Sequence, residues 1–166
     1  MEVTTVQYDI AFGEKLVQTA QMVTTEGIDS LDAQRTVLYL SLLSTEISLK
    51  AMLEHAGRPV PQIRNRSHQL AALLSDLDQC EVEVEIVSGR KEYVSASRLR
   101  ACQLIYGAAQ TTVGAVIDAE RHGASTYPNQ IRYGDVLHHF PAAVVTEMAF
   151  KVSAFARQYW NSLRIK

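Results

Sequence analysis

Apolar residues recur at helical spacing near the start of this chain. Phe12, Leu16, Ala20 and Val23 follow one another at steps of three or four residues, and Gly27 comes next. This spacing places the four side chains on one face of a helix, and glycine is the residue that most often ends a helix in the left-handed conformation. The sequence therefore predicts a first helix that ends at Gly27.

A second helix is predicted from Ser30 to about Leu53. The Ser30 hydroxyl can cap the free N–H groups, and Asp32 has a favourable charge for the first turn. Gly57 and Pro59 then end the helix. The stretch is apolar around most of its circumference, so we expect this helix at the centre of a bundle.

Prolines mark the connection that follows. Residues 57–66 contain Pro59 and Pro61, which remove backbone donors and restrict their neighbours, so this stretch is predicted to be a loop. Ser67 is predicted to cap a short third helix. The apolar stripe of that helix consists of Leu70, Leu73, Leu74 and Leu77.

After Cys80 the hydrophobic period changes to two. Apolar residues alternate with glutamates over residues 81–86, and Ser88 with Gly89 forms a turn signal. Alternation of this kind predicts a small β-hairpin over residues 81–95, and the alternative is an irregular extension of the helix before it.

The remaining chain is again predicted to be mainly helical. Spacing favours a helix from Ala96 to about His122, the turn-rich residues 123–134 predict a loop, and a final amphipathic helix is expected to begin near Pro141. These elements together predict an all-α fold, a single domain over residues 1–166. We expect an antiparallel bundle of about five helices, with the hairpin as an insertion.

Composition limits the classes of function. The formal charge of −2 excludes a basic field over the whole surface, although a local patch can still bind a phosphate. The N-terminus lacks the features of a signal peptide, and no stretch reaches the length of an apolar membrane span, so a cytoplasmic protein without membrane contact is expected. Cys80 and Cys102 lie far apart without a Cys/His cluster, so neither a metal nor another cofactor is expected.

Several short motifs resemble those of HEPN domains. Residues 46–53 read Glu-Ile-Ser-Leu-Lys-Ala-Met-Leu, Gly57 follows, and residues 68–70 read His-Gln-Leu. Farther along, Tyr127-Pro128 precedes Arg132-Tyr133. This order resembles the second and third helices and the final linker of HEPN proteins, which are small helical bundles. The resemblance implies a HEPN-like helical fold.

The same resemblance implies an activity. Catalytically active HEPN proteins are metal-independent endoribonucleases of toxin–antitoxin and antiphage systems, and their signature is an arginine and a histidine separated by four to six residues. Here five residues separate Arg132 from His138, and six separate it from His139. By resemblance, Arg132 would hold the scissile phosphate and His138 or His139 would transfer a proton, with two copies meeting in a homodimer. A nucleotidyltransferase is a further partner that the family implies.

A second hypothesis is a non-catalytic HEPN-like module that binds a nucleotide or a protein partner. Tyr133 favours it, because active members usually carry a small polar residue there. Arginines also run into a helix start, where free N–H groups favour an anion. The candidate residues for binding a phosphate or nucleotide are Arg58, Arg64, Arg66, His68 and Tyr133. The loop arginines could instead be solvated at the surface, and Arg132 could instead pair with Asp135. For the whole protein, the alternative is a purely structural helical protein. Whether the chain is an enzyme stays open at this point.

Overall fold

A computed structural model describes residues 5–106, 109–122, 127–133 and 138–166. Within these ranges the helices are α1 (Ile10–Glu26), α2 (Leu31–His55), α3 (Val60–Arg64), α4 (Leu70–Leu77), α5 (Val113–Asp118), α6 (Asn129–Tyr133) and α7 (Ala142–Tyr159). The strands are β1 (Cys80–Glu85), β2 (Lys91–Ser95), β3 (Gln103–Tyr106), β4 (Ala109–Thr112) and β5 (Arg164–Ile165).

Helix α2 lies at the centre, and α1 and α7 pack along it. Its side chains Leu38, Leu49 and Leu53 are at most 1% exposed. This helix is long and apolar enough to cross a membrane, but 72% of its most apolar window is buried by the rest of the fold. Burial of this kind is what the nearly continuous apolar circumference predicts for a central helix.

The boundaries predicted for the long helices are confirmed. The Ser30 hydroxyl accepts a hydrogen bond from the Ala33 N–H at 3.1 Å and caps α2. Gly27 follows α1 with a φ of 123°, and its N–H donates to the Val23 carbonyl. Pro141 directly precedes α7. In each case the local signal and the tertiary packing favour the same boundary.

Helices α1 and α2 lie in close contact at Gly13. The Ser44 hydroxyl donates to the Gly13 carbonyl at 2.6 Å. A Cβ atom at position 13 would lie 2.6 Å from the Ser48 hydroxyl oxygen, which is too short for any real contact. The absence of a side chain at Gly13 is therefore what allows the two backbones to meet.

A small antiparallel sheet has the strand order β2-β1-β5. The hairpin of β1 and β2 is observed where the alternating pattern predicted it, with Val82 opposite Val94. Val82 is fully buried against the bundle, whereas Glu85 on the other face is exposed. Strand β5 pairs with the free edge of β1 through Arg164 and Ile165.

A second hairpin interrupts the helix predicted for residues 96–122, and the prediction of one continuous helix is wrong. Strand β3 pairs with β4, and only α5 and short 3₁₀ turns are helical there. Leu104 is fully buried while Ile105 is 71% exposed, so the side chains alternate with a period of two. The β-branched Thr111 and Thr112 fit a strand better than a helix.

The prediction of an all-α fold is therefore wrong. Of the residues that the structure describes, about 64% are helical and about 13% are strand, in two small antiparallel sheets of three and two strands. The protein is mixed α/β. Short apolar runs such as that of β3 fit both periods, which is why spacing alone did not identify the second sheet.

Two predictions about the shorter connections also need correction. Residues 60–64 form α3 and not a loop, because prolines in the first turn of a helix cost no hydrogen bond. Ser67 has a φ of 51° and does not cap α4, which begins after Gln69. In the loop predicted for residues 123–134, residues 129–133 form α6, and residues 123–126 and 134 lie outside the described ranges.

Candidate functional site

Four large polar side chains lie on one face of α2. Arg35, Tyr39, Glu46 and Lys50 follow one another at spacings of four, seven and four residues, which return to the same helical face. We call these four residues the polar stripe. Its members contact Tyr127, His68 and the backbone of α6. One face of the central helix thereby brings together residues from three distant parts of the sequence.

Glu46 is the carboxylate of the stripe, with 3% exposure, and three side chains bind it. The Lys50 ammonium donates to Oε1 at 2.8 Å, and the Tyr127 hydroxyl donates to Oε2 at 2.7 Å. His68 Nδ1 lies 3.1 Å from both oxygens. Burial raises the pKa of this carboxyl, but the bonds from Lys50, Tyr127 and His68 outweigh burial, so the pKa is lowered. Glu46 is therefore ionised at neutral pH.

The ionised Glu46 fixes the tautomer of His68. A carboxylate can only accept hydrogen bonds, so Nδ1 of His68 carries the proton. The neutral ring then has a bare Nε2, and the side chain is 49% exposed. In this neutral form Nε2 is an acceptor that suits a hydroxyl or amine donor, whereas in the protonated ring it is an N–H donor that suits a phosphate oxygen. The predicted role of His68 in binding a phosphate requires the protonated ring.

Residues 127–133, which we call the 127–133 segment, are attached to the polar stripe at both ends. Tyr127 bonds Glu46 at one end. At the other end, Arg35 donates twice to the Ile131 carbonyl, at 3.0 and 2.9 Å, and once to the Arg132 carbonyl at 2.6 Å. A cation favours the last carbonyls of a helix. Ile131, 2% exposed, anchors α6 in the core.

The Arg132 guanidinium is exposed and rests on a neutral partner. Its Nε and Nη2 donate to the Tyr39 hydroxyl at 3.1 and 2.6 Å, and its carbon lies 5.3 Å from the centre of the Tyr39 ring. The bond to Tyr39 raises the pKa of Arg132. Among the residues that the structure describes, no carboxylate pairs with Arg132. The alternative partner Asp135 lies outside them.

A surface groove of about 420 Å³ runs beside Arg132. It is lined by Asp32, Arg35, Thr36, Tyr39, Leu40, Ile131 and Arg132. Tyr133, at the end of α6, is 82% exposed. An arginine, a shallow groove and an exposed aromatic ring are the components of a site for a phosphate group and an attached planar ring.

His138 is held in the opposite way to His68. Its Nδ1 accepts a hydrogen bond from the Phe140 N–H at 3.0 Å, so the proton of the neutral ring is on Nε2. Burial lowers the pKa of His138 to about 4. At neutral pH the ring is uncharged, and its only remaining polar group is an N–H donor. It is poorly suited to accept a proton, and it does not carry the extra proton of a general acid.

The predicted catalytic pair is not joined within the chain. Arg132 bonds Tyr39, His138 bonds Phe140, and within the described ranges no hydrogen bond connects the two residues. His139 is exposed, and its ring packs edge-on against the ring of Phe140 at 5.2 Å between centroids.

The predicted cluster around Arg58, Arg64, Arg66 and His68 is dispersed in the same manner. Arg66 makes two hydrogen bonds of 2.8 Å to Asp76, whose side chain is 5% exposed. Arg58 donates to the Gln79 side chain at 3.2 Å, and Arg64 is exposed. Asp76 of α4 and Gln79, the residue before β1, thus bind two of the three arginines.

Sequence reasoning missed Arg35 and Tyr39, the two residues that hold α6 and Arg132. The signal was present in the spacing of polar residues along an otherwise apolar helix. An arginine, a tyrosine and a glutamate on one face of a buried helix require polar partners, because unpaired groups there are costly.

Across the described residues, no group of three or more His, Cys, Asp or Glu side chains is placed to hold a metal ion. No match to this chain is found among family models, curated proteins or solved structures.

Proposed function

We propose that the protein is a HEPN-like module that binds a phosphate-bearing ligand, an RNA strand or a nucleotide, at the surface around Arg132. We call Tyr39, Arg132, Tyr133 and the adjoining groove the Arg132 surface. The observation that carries the proposal is the exposed Arg132 guanidinium, which a neutral phenol orients without neutralising its charge.

The chemistry of the surface supports this ligand class. A guanidinium offers several N–H donors in a fixed plane, and the bonds to Tyr39 use only Nε and Nη2. Tyr133 is far more exposed than an aromatic ring in a core would be, and such a ring can stack on a base. The groove is shallow and partly apolar, as a site for a nucleotide or a single strand requires.

The state of His138 favours binding over cleavage. Cleavage at the 2′-hydroxyl needs a group that accepts its proton, and His138 has committed its acceptor nitrogen to the Phe140 N–H. A pKa near 4 also removes the imidazolium that would protonate a leaving oxygen at neutral pH. Cleavage through His138 would therefore require the surroundings of this ring to change.

The test is binding of a short fluorescent single-stranded RNA by fluorescence anisotropy, in excess EDTA, at several salt concentrations. Arg132→Ala should lower the affinity by about tenfold and reduce the slope of log affinity against log salt by about one phosphate contact. Arg64→Ala removes an exposed arginine from α3 and is the matched control, which should leave both quantities nearly unchanged.

Three outcomes contradict the proposal. Equal losses of affinity in Arg64→Ala and Arg132→Ala would show that the RNA binds elsewhere or nonspecifically. Unchanged affinity in Arg132→Ala would remove this surface from the function. Cutting of the RNA in EDTA, lost in both Arg132→Ala and His138→Ala, would establish the endonuclease hypothesis in place of simple binding.

A further inference from the structure

The 127–133 segment contains one helix of five residues, α6, which carries Arg132. A helix of this length has no stability of its own in water, because nucleation costs more than one turn of hydrogen bonds returns. The position of Arg132 therefore depends on how the segment is attached to the rest of the fold.

The attachment uses the polar stripe of α2 at both ends of the segment. Tyr127 donates to the buried Glu46, which Lys50 holds in place. Arg35 donates to the final carbonyls of α6. Hydrogen bonds to a charged group in a buried setting are stronger than neutral ones. The Tyr127–Glu46 bond is thus a strong attachment that involves none of the atoms of the Arg132 guanidinium.

We infer that Tyr127 and Glu46, with Arg35 at the opposite end, are positioning residues for Arg132. This inference rests on the proposed function. Through the Tyr127–Glu46 bond the segment holds Arg132 over Tyr39 and beside the groove. Loss of that bond leaves the charge of Arg132 in place and removes its fixed location.

His68 extends this role to a second part of the chain. Its Nδ1 binds the same carboxylate as Tyr127, so one buried group joins the connection before α4 to the segment that carries Arg132. The rings of His68 and Tyr127 also meet edge-on, with centroids 6.0 Å apart. Besides Tyr127, Lys50 and His68 therefore restrict the Glu46 oxygens, which favours a single orientation of the Tyr127 hydroxyl.

Tyr127→Phe tests the inference, because it removes the hydroxyl and keeps the ring. With the same RNA probe it should lower the affinity about fivefold, less than the loss in Arg132→Ala, because binding must then order Arg132. The salt slope should stay at the wild-type value, since no phosphate contact is lost. Tyr93→Phe removes a hydroxyl from the half-exposed ring on β2 and serves as the control.

A double-mutant cycle separates positioning from general destabilisation. If Tyr127 acts through Arg132, Tyr127→Phe has no further effect on affinity in the Arg132→Ala background. Equal losses in both backgrounds overturn the inference, as does an unchanged affinity in Tyr127→Phe when Arg132→Ala binds weakly. Unchanged affinity in Arg132→Ala itself would instead contradict the proposed function.

Arg35→Lys provides a second test that does not depend on how well Tyr127→Phe folds. Lysine keeps the positive charge but cannot donate to two carbonyls from a planar fork. It should weaken RNA binding with an unchanged salt slope, and amide hydrogen exchange at residues 129–133 should become faster. Wild-type affinity together with wild-type exchange would contradict a positioning role for Arg35.

Discussion

Two polar parts of the chain dock near the same face of α2, and they use their cations in different ways. In the connection formed by residues 58–68, Arg66 is paired with a buried carboxylate and His68 with another. In the 127–133 segment, Arg132 lies on a neutral phenol. The first part also contains Arg58, which donates to the neutral Gln79 side chain, so the contrast lies between Arg66, paired with a carboxylate, and Arg132, held by a phenol.

The difference shows that the partner of a cation, and not its presence, decides whether it can bind a ligand. An arginine paired with a buried carboxylate is fixed in the structure, and the pair has little net charge left for a phosphate. The phenol of Tyr39 holds Arg132 in place without cancelling its charge. The two histidines are also held differently, because Nδ1 of His68 faces the Glu46 carboxylate and Nδ1 of His138 accepts from the Phe140 N–H.

Glu46→Ala should have the largest effect, because it removes the carboxylate on which both parts depend. The variant leaves the Lys50 ammonium, 7% exposed, without its partner. Breaking a buried pair by removing one member costs about 3–5 kcal/mol. Urea denaturation monitored by circular dichroism should therefore show a loss of this size in the free energy of unfolding.

Glu81→Ala is the control for that prediction. Glu81 pairs with Arg164, whose side chain is 52% exposed, and pairs at the surface are worth at most about 1 kcal/mol. Similar losses in Glu46→Ala and Glu81→Ala would show that the Glu46 cluster contributes no more than a surface ion pair.

The second prediction concerns His138 and acid. The pKa of His138 is lower in the folded state than in the unfolded state, so as the pH falls the unfolded state binds a proton at a higher pH. The contribution of His138 to stability is therefore present above the ordinary pKa of 6.5 and is lost as pH falls towards about 4. Wild type should lose on the order of 1–3 kcal/mol more than His138→Asn over this interval, measured by urea denaturation at each pH.

His139→Asn replaces the exposed neighbour and should retain the wild-type pH dependence. If His138→Asn retains it as well, His138 is not the buried neutral ring that the bond from Phe140 indicates.

The third prediction concerns Arg66 and tests the contrast between residues 58–68 and the 127–133 segment. Asp76→Ala removes the partner of Arg66, whose side chain is already 45% exposed and can be solvated by water. The free energy of unfolding should fall by about 1–2 kcal/mol. The freed cation should raise the affinity for the RNA probe and increase the salt slope by about one. If Asp76→Ala binds the RNA probe like wild type, neutralisation of Arg66 by Asp76 is not what keeps residues 58–68 from binding RNA.

The smallest effect on stability is expected from Tyr133→Ala. The side chain is 82% exposed, so the free energy of unfolding should change by less than about 0.5 kcal/mol. Its affinity for the RNA probe should nevertheless fall by about 1 kcal/mol or more if the ring stacks on a base. Equal affinities of Tyr133→Ala and wild type would limit the site to Arg132 and the groove.

The long helices could be predicted from sequence because local and global signals agree in them. Ser30 and Gly27 specify boundaries chemically, and the apolar pattern of α2 is too extensive for a surface helix. The second hairpin could not be predicted in the same way. Its apolar residues fit a helical spacing as well as an alternating one, and only the burial of Leu104 with exposure of Ile105 separates the two.

The candidate site shows a similar limit. Arg132 and Tyr133 could be singled out by resemblance, but the partners that decide the state of each cation lie far away in the chain. Asp76 is ten residues from Arg66, and Tyr39 is 93 residues from Arg132. Pairings over such distances are a property of the packed fold, and spacing along the sequence carries no record of them.

The contact of Gly13 with α2 has a consequence for how the sequence can diverge. A methyl group at this position would collide with the Ser48 hydroxyl, whose oxygen has no hydrogen-bond partner in the described chain. Gly13→Ala is therefore tolerable only if the Ser48 side chain adopts another rotamer, a smaller residue replaces Ser48, or the helices separate. Related chains should consequently vary at these two positions together, and such a paired change would be a marker of common descent that survives when the overall similarity has faded.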